Sequence, residues 1–163
     1  QVLEESEIVC CTCNSSYLEV LRSVTFDLVI VDEAAQCIEP ELLIPTQHKC
    51  RRLIMFGDHK QLPATVLSRA AERAGLGRSF FERLWGAKDE LDLGVCRSIL
   101  TTQYRMHPQI CAFPNREFYG GALQTDASVL ARPIPPWAAS PLLDQPYLFF
   151  DAKDSAELVS GGR

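Results

Sequence analysis

A short apolar run that ends in two carboxylates constrains the fold of this chain more than any other feature. Leu28 to Val31 is mostly β-branched and does not alternate with polar residues, a pattern typical of a strand buried on both faces of a parallel sheet. Asp32 and Glu33 follow directly. Ligands of open α/β sheets bind beyond the carboxyl ends of the strands, so this pair is placed to meet a substrate or its metal ion. One carboxylate can hold a hard cation while the other orients a water molecule.

Two further apolar runs predict neighbouring strands. Ile8 to Cys11 indicates a first buried strand, and Leu53 to Phe56 indicates a third. If the three strands are parallel neighbours, the polar groups that follow them share one edge of the sheet. The stretches between the strands are short for helical crossovers, which leaves the strand order open. The polar groups at the three strand ends are Thr12 and Asn14, Asp32 and Glu33, and Asp58 and Gln61.

The helices predicted between and after these strands are short. Two prolines punctuate residues 38–48, so any helix there is brief. Ser68 and Ser79 are predicted N-caps of helices at residues 69–74 and 80–86. We expect four large side chains of the second of these helices to anchor the core: Phe80, Phe81, Leu84 and Trp85.

The composition is typical of a globular protein, and the length suits one domain or one domain plus part of another. The chain has 163 residues, of which about half are apolar. Its net charge of -5 gives no basic footprint for nucleic acid, although a local groove can be basic while the total is acidic. Seven cysteines are an odd count, and we expect buried, reduced thiols in an intracellular protein of the nucleus or cytoplasm. We expect no membrane partner, since no apolar run approaches the length of a membrane span.

A second dense stretch lies in the last third of the chain. Residues 101–124 contain Gln103-Tyr104-Arg105-Met106-His107-Pro108, and His107 before Pro108 is the expected start of a helix. Residues 132–146 include five prolines and predict a loop. Residues 147–150 predict one more strand, and the charged residues 88–93 predict a surface connection.

Three spaced motifs of this chain resemble motifs II, III and IV of the superfamily 1 helicases. They are Asp32-Glu33-Ala34-Ala35-Gln36, Gly57-Asp58-His59-Lys60-Gln61-Leu62-Pro63 and Gln103-Tyr104-Arg105-Met106-His107-Pro108. The resemblance is to the up-frameshift-like branch, which includes the nonsense-mediated decay helicase and senataxin-type enzymes. Cys10-Cys11-Thr12-Cys13 is similar to motif Ic of that branch. The match covers nearly the whole chain in the expected order, and three spaced motifs are far more specific than one.

The resemblance implies an α/β fold, namely part of a RecA-like P-loop NTPase sheet with helices and the beginning of a second RecA-like domain. Residues 1–100 would form the C-terminal half of the first domain. Residues 101–163 would begin the second, with the proline-rich loop at 132–146. It also implies an ATP-dependent helicase that uses ATP and Mg²⁺ and binds single-stranded RNA or DNA.

The resemblance also implies roles for single residues at the ATP site. Asp32 would hold magnesium, directly or through water, and Glu33 would polarise the water that attacks the γ-phosphate. Gln61 would sense that phosphate. Arg105, from the second domain, would stabilise the charge that develops in the transition state, a task suited to a planar cation that keeps its charge. Tyr104 would either stack on adenine or be a packed aromatic.

Three residues would lie toward the nucleic-acid path by the same resemblance, namely Thr12, Pro63 and Val66. Such contacts go mainly to the backbone of a single strand and carry little sequence specificity. The sequence therefore leaves RNA versus DNA and the direction of movement undecided.

The sequence departs from the helicase pattern in one large respect. A phosphate-cradling loop needs Gly-x-x-x-x-Gly-Lys-Ser/Thr, and none of the four lysines follows a glycine. We therefore expect the chain to need the remainder of a helicase core, and to bind ATP weakly and leave it unhydrolysed by itself. Ala64 stands where the branch often has a second proline, so the backbone of motif III is less constrained.

Two other functions stay open at this point. The chain could belong to an inactive helicase-like binding or scaffold module that kept the fold and lost turnover. Alternatively, Asp32, Glu33 and Asp58 could form an independent metal-dependent phosphohydrolase or nuclease site. The second alternative leaves Gln61 and Arg105 without a role.

Overall fold

A computed structural model describes residues 2–3, 5–87, 95–132 and 146. The chain divides into two compact units, Gln1–Arg97 and Ser98–Arg163. The assignment of residues 1–100 and 101–163 to two RecA-like domains stays a prediction. The predicted connection at 88–93 and the predicted strand at 147–150 lie outside the described residues, as does the loop at 132–146 apart from its two end residues.

A parallel pair of strands with helices forms the first unit. The pairing runs from Leu28 opposite Arg52 to Val31 opposite Met55, which confirms a parallel order for these two strands. The described elements are a 3-10 turn at Asn14–Tyr17, α1 at Glu19–Arg22, β1 at Leu28–Val31, a 3-10 turn at Ala34–Gln36, α2 at Glu39–Thr46, β2 at Arg52–Met55, α3 at Arg69–Arg73 and α4 at Phe80–Gly86.

Local hydrogen bonds explain where the helices begin. Ser68 Oγ accepts a bond of 3.3 Å from Ala71 N–H, and Ser79 Oγ accepts one of 3.1 Å from Glu82 N–H. Each serine thereby satisfies an amide that the first helical turn leaves unpaired, which confirms both predicted N-caps. The helix predicted as brief is α2, which spans eight residues and continues through Pro45 in its last turn.

The core of the first unit lies on one face of the strand pair. Val31, Ala34 and Leu42 form its buried centre, and Phe80 and Phe81 of α4 pack against it. These contacts confirm the predicted anchoring role of the two phenylalanines. Burial of such side chains is the main stabilising contribution to a small α/β unit.

The prediction that β1 is buried on both faces is wrong for the described structure. Leu28 is 44% exposed and Ile30 is 59% exposed, whereas Val31 is buried. Alternate side chains of a strand point to opposite faces. Because α2 and α4 pack on the face of Val31, the described residues leave the face of Leu28 and Ile30 open.

The predicted first strand at residues 8–11 is also wrong. This stretch has no regular secondary structure, and Ile8 is 81% exposed. An apolar run forms a strand only where another strand supplies hydrogen-bond partners. Neither β1 nor β2 pairs with these residues, since the described sheet contains only those two strands.

The cysteines are free thiols, as expected, but most are not buried. All seven are unpaired; Cys111 is buried, whereas Cys10, Cys11 and Cys96 are exposed. The expectation of burial was wrong because several of them lie on irregular segments rather than on core strands. Cys10 and Cys13 have C-x-x-C spacing, yet the described residues contain no group of three metal-binding side chains.

The second unit repeats the pattern of short parallel strands and helices. Its described elements are β3 at Thr102–Gln103, α5 at Pro108–Tyr119, β4 at Gln124–Thr125 and α6 at Ala127–Leu130. β3 and β4 pair in parallel, so both units confirm the predicted α/β class. His107 Nδ1 accepts a bond from Gln109 N–H, which confirms this histidine as the start of α5. None of the described helices is long and apolar enough to cross a membrane.

Candidate functional site

The predicted acidic pair lies in a turn directly after β1. Val31 is buried at the end of the strand, whereas Asp32 and Glu33 are exposed. Asp32 Oδ1 accepts a bond of 3.0 Å from Glu33 N–H. Glu33 has a left-handed backbone with φ of 52°, which is uncommon for a residue with a side chain and recurs at functional sites. The turn therefore presents two carboxylates at the carboxyl end of β1.

A glutamine three residues further on contacts the second carboxylate. Gln36 Nε2 donates a bond of 2.9 Å to Glu33 Oε2, and Gln36 N–H donates one of 2.9 Å to Glu33 O. The two residues are neighbours because side chains three positions apart eclipse each other in a 3-10 turn. The contact favours one orientation of the Glu33 carboxylate. The sequence shows that Glu33 and Gln36 are three residues apart, but it suggests no separate role for Gln36.

The turn after β2 is organised by Asp58. Asp58 Oδ1 accepts a bond of 2.9 Å from Lys60 N–H, and Oδ2 accepts one of 2.8 Å from Gln61 Nε2. The backbone adds a third contact, since Gln61 N–H donates to Asp58 O at 3.2 Å. Asp58 therefore holds both the backbone and the side-chain amide of Gln61, the predicted γ-phosphate sensor.

The two turns are in direct contact. Ala34 N–H donates to Phe56 O at 2.8 Å, and Phe56 N–H donates to Val31 O at 2.8 Å. A Cβ placed on Gly57 would lie 2.8 Å from Ala35 N, which is closer than real Cβ atoms approach. Glycine is required here because only a residue without a side chain allows the two backbones to come this close.

A pocket of about 440 Å³ opens where the turns meet. Its lining residues are Gln36, Lys60, Gln61 and Leu62. Gln36 holds Glu33, and Asp58 holds Gln61. The structure thus brings Gln61 to an open pocket directly and Glu33 to it through Gln36, while Asp32 precedes Glu33 in the same turn.

The acidic pair suits a magnesium ion that arrives with a phosphate group. Magnesium is usually held by one or two carboxylates, while phosphates and waters complete its octahedral shell. Asp32 offers an exposed carboxylate directly after β1. Within the described ranges, no three acidic, histidine or cysteine side chains form a metal cage. The donor set therefore fits a shared metal–phosphate site better than a dedicated metal centre.

Burial disfavours a reactive thiol beside the acidic turn. Cys37 directly follows the 3-10 turn, and burial raises its pKa to about 12, with smaller contributions from a hydrogen bond to Glu41 and from Cys13 nearby. Since the thiolate is the form that attacks substrates, this direction disfavours Cys37 as a nucleophile at neutral pH.

The residues predicted to face nucleic acid lie on irregular segments. Thr12 is exposed; its hydroxyl donates to Ser15 Oγ at 3.0 Å and accepts from Ser15 N–H at 3.2 Å. Pro63 is exposed and Val66 is half-buried, both in the stretch that precedes α3. Thr12 thus has a local role in the first 3-10 turn, and its contact with nucleic acid stays a prediction.

The last two predicted site residues lie in the second unit, directly after β3. Tyr104 is 59% exposed, which disfavours its alternative reading as a packed aromatic, and Arg105 is also exposed. Gln103 and Arg132 bind the backbone of this loop. Arg132 was not among the predicted site residues, because it lies in the stretch predicted as a proline-rich loop.

Comparison with known proteins gives two domain matches along the chain. Two profiles, each described as an AAA domain, match residues 1–69 and 76–162. The probable helicase MAGATAMA 3 of Arabidopsis thaliana is 42% identical over 96% of this chain and 18% of its own length. The ATP-dependent helicase NAM7 of Saccharomyces cerevisiae is 36% identical over 99% of this chain and 16% of its own length. The probable helicase senataxin of Homo sapiens is 39% identical over 96% of this chain and 6% of its own length.

The fold and the site define a class of protein before any relative is considered. Parallel strands whose carboxyl ends carry an acidic turn and a glutamine turn form part of a RecA-like α/β fold, and an open pocket lies where the two turns meet. The chain belongs to the AAA domain family, in the up-frameshift-like branch of the superfamily 1 helicases. This membership confirms the resemblance that the three motifs indicated. The chain spans less than a fifth of the length of the three relatives described.

Proposed function

We propose that this chain is part of an ATP-dependent helicase, which couples ATP hydrolysis to movement on, or unwinding of, RNA or DNA. The observation that carries the proposal is the contact between the two strand-end turns, where one pocket is lined by Gln61 and by Gln36, the residue that binds Glu33. Family membership supports it, since NAM7 is named an ATP-dependent helicase. The partners are single-stranded nucleic acid and the remainder of the helicase core. The unpaired cysteines support an intracellular location, in the nucleus or the cytoplasm.

The acidic turn would bind the metal and activate the water. Asp32 holds Mg²⁺, directly or through water, and Mg²⁺ when bound neutralises charge on the phosphate oxygens. Glu33 accepts a proton from the attacking water. The bond from Gln36 Nε2 to Glu33 Oε2 supports this role, because it orients the carboxylate before substrate arrives.

The glutamine turn and the second unit would recognise the nucleotide. Gln61, held by Asp58, contacts the γ-phosphate. Tyr104 stacks on adenine, and its exposed ring supports that role. Arg105 stabilises the equatorial phosphoryl oxygens as charge spreads over them in the transition state.

The nucleic acid would run past Thr12, Pro63 and Val66. Lys60 is exposed in the same segment as Pro63, so it adds a positive charge that a phosphate backbone would attract. Contacts of this kind give affinity with little dependence on base sequence.

A single substitution tests the proposal in the intact gene product. Glu33→Gln should lower the turnover number for ATP by on the order of 10²–10⁴, because the amide cannot accept the proton of the attacking water. ATP hydrolysis is measured with and without single-stranded RNA or DNA. Glu19→Gln is the matched control, since Glu19 is an exposed glutamate of α1 away from the pocket.

The outcome separates the alternatives. Turnover that rises with nucleic acid and collapses only in Glu33→Gln supports the motor. Nucleic-acid binding without turnover in any form supports the inactive scaffold. Metal-stimulated cleavage without ATP would support the phosphohydrolase or nuclease, which the structure disfavours because both Asp58 oxygens already accept hydrogen bonds.

A further inference from the structure

The backbone around Arg105 is fixed by two side chains that come from different parts of the second unit. Two peptide groups flank the Cα atom of Arg105. The first contains Tyr104 C=O and Arg105 N–H, and the second contains Arg105 C=O and Met106 N–H. All four of these polar groups are hydrogen-bonded to a side chain.

Gln103 binds the two amide groups. Its Oε1 accepts bonds from Arg105 N–H at 2.9 Å and from Met106 N–H at 2.7 Å. Its Nε2 donates to Met106 O at 2.6 Å and to Thr125 Oγ1 at 2.7 Å. The second contact ties the loop to β4, so the amide of Gln103 is itself held in place.

Arg132 binds the two carbonyl groups. Its Nη1 donates to Arg105 O at 3.0 Å, and its Nη2 donates to Tyr104 O. A guanidinium group suits this task because its N–H groups form a rigid planar fork that can bind two acceptors at once. The backbone of Arg132 is anchored in turn, since Arg132 N–H donates to Val129 O and Val129 of α6 is buried.

The consequence is that both backbone torsions of Arg105 are restrained. The orientation of each flanking peptide plane sets one of these torsions, and each plane has its donor and its acceptor bound. The restrained torsions fix the direction in which the Arg105 side chain leaves the backbone. Arg105 and Tyr104 are exposed, so the described restraints act on the backbone of the loop rather than on these two side chains.

We propose that Arg132 is a positioning residue, which holds the loop of Tyr104 and Arg105 in the geometry that phosphoryl transfer requires. This inference rests on the proposed function, in which Arg105 acts on the γ-phosphate. Arg132 itself does not contact the nucleotide in this proposal. Its effect on turnover passes entirely through the loop.

The test measures ATP hydrolysis by the intact protein at saturating nucleic acid. Arg132→Met should lower the turnover number about tenfold, because small misplacements of a reacting group cost this much or more. Arg132→Lys should recover part of the loss, since an ammonium group keeps the charge but lacks the fork. Arg116→Met is the matched control: Arg116 is an exposed arginine of α5 that pairs with Glu117, and its removal should leave turnover unchanged.

A double variant distinguishes positioning from a general loss of stability. Arg105→Ala alone should lower turnover by on the order of 10³, and adding Arg132→Met should lower it no further, because the group to be positioned is gone. If the two losses multiply, or if Arg132→Met behaves like Arg116→Met, the positioning role is wrong. Full turnover in Arg105→Ala would instead contradict the proposed role of Arg105.

Hydrogen exchange tests whether Arg132 holds the loop, whatever the turnover measurements show. The amides of Arg105 and Met106 should exchange at least about tenfold faster in Arg132→Met than in the parent protein, since loop opening exposes amides to solvent. Exchange of the amides in α5 should be unchanged. Unaltered exchange at these two amides would show that Arg132 does not hold the loop.

Discussion

Gly57 allows the two turns of the candidate site to lie in close contact, because it has no Cβ atom. A Cβ at this position would lie 2.8 Å from Ala35 N and 3.3 Å from Ala34 N. Both neighbours are backbone atoms of the acidic turn, so neither can move aside as the end of a flexible side chain could. One methyl group would therefore separate the turn of Gln61 from the turn of Glu33.

We predict that Gly57→Ala destabilises the chain by about 1–3 kcal/mol, the usual cost of overpacking, and lowers ATP turnover of the intact protein. Gly86→Ala is the control, because its Cβ would meet only a side-chain nitrogen of Arg78 at 3.4 Å and alanine favours a helix. Urea unfolding measures both variants. Equal stability of the two would show that the turns tolerate a wider separation.

Sequence patterns indicate candidate site residues better than the residues that hold them. The candidate roles of Glu33 and Gln61 come from strand ends and from the motif resemblance, and both roles stay predictions. The tertiary contacts of Gly57 and Arg132 leave no such signal. A close approach between turns, or a bond to a carbonyl 27 residues away, depends on the folded path of the chain.

Among the helices, α2 and α4 are linked by a two-pronged ion pair. Arg83 Nε and Nη2 donate to the two carboxylate oxygens of Glu39 at 2.8 and 2.7 Å. The hydrogen bond from Arg83 is the main reason that the pKa of Glu39 lies below its ordinary value of 4.5. The pair connects the helix that follows the acidic turn to the helix that covers the core.

The lowered pKa of Glu39 predicts how stabilisation by the Glu39–Arg83 ion pair depends on pH. A carboxylate whose folded-state pKa is lowered contributes stability above its ordinary pKa and loses it as pH falls through the folded value. Glu39→Gln should therefore lower the melting temperature by a few degrees at pH 7 and have little effect in strong acid. Glu19→Gln, an exposed glutamate of α1, serves as control. If Glu39→Gln lowers the melting temperature by the same amount in strong acid, Glu39 stabilises the fold through packing rather than through its charge.

The elements differ in how well the sequence predicts them. β1 begins and ends at the predicted residues, and both serine caps are found where expected, since these features depend on a few neighbouring residues. The run at 8–11 is as apolar as β1 but forms no strand. Composition describes the side chains of that run, whereas a strand also needs a partner for its backbone.

For the whole molecule, the main prediction concerns the chain by itself. The sequence has no Gly-x-x-x-x-Gly-Lys-Ser/Thr loop, so the β- and γ-phosphates lack the backbone amides that usually cradle them. Titration of the 163-residue chain with a fluorescent ATP analogue and magnesium should give no binding at micromolar concentration. Tight, magnesium-dependent binding would contradict this and would make the pocket beside Gln61 a complete nucleotide site.

The loop of Arg105 has a consequence for where the chain can tolerate substitution. Every polar partner described for its two peptide groups belongs to the second unit. The described hydrogen bonds that hold the backbone of this arginine are therefore encoded within residues 103–132. Substitutions around Pro63, in the first unit, leave all of these bonds in place, so the two segments can change in sequence separately.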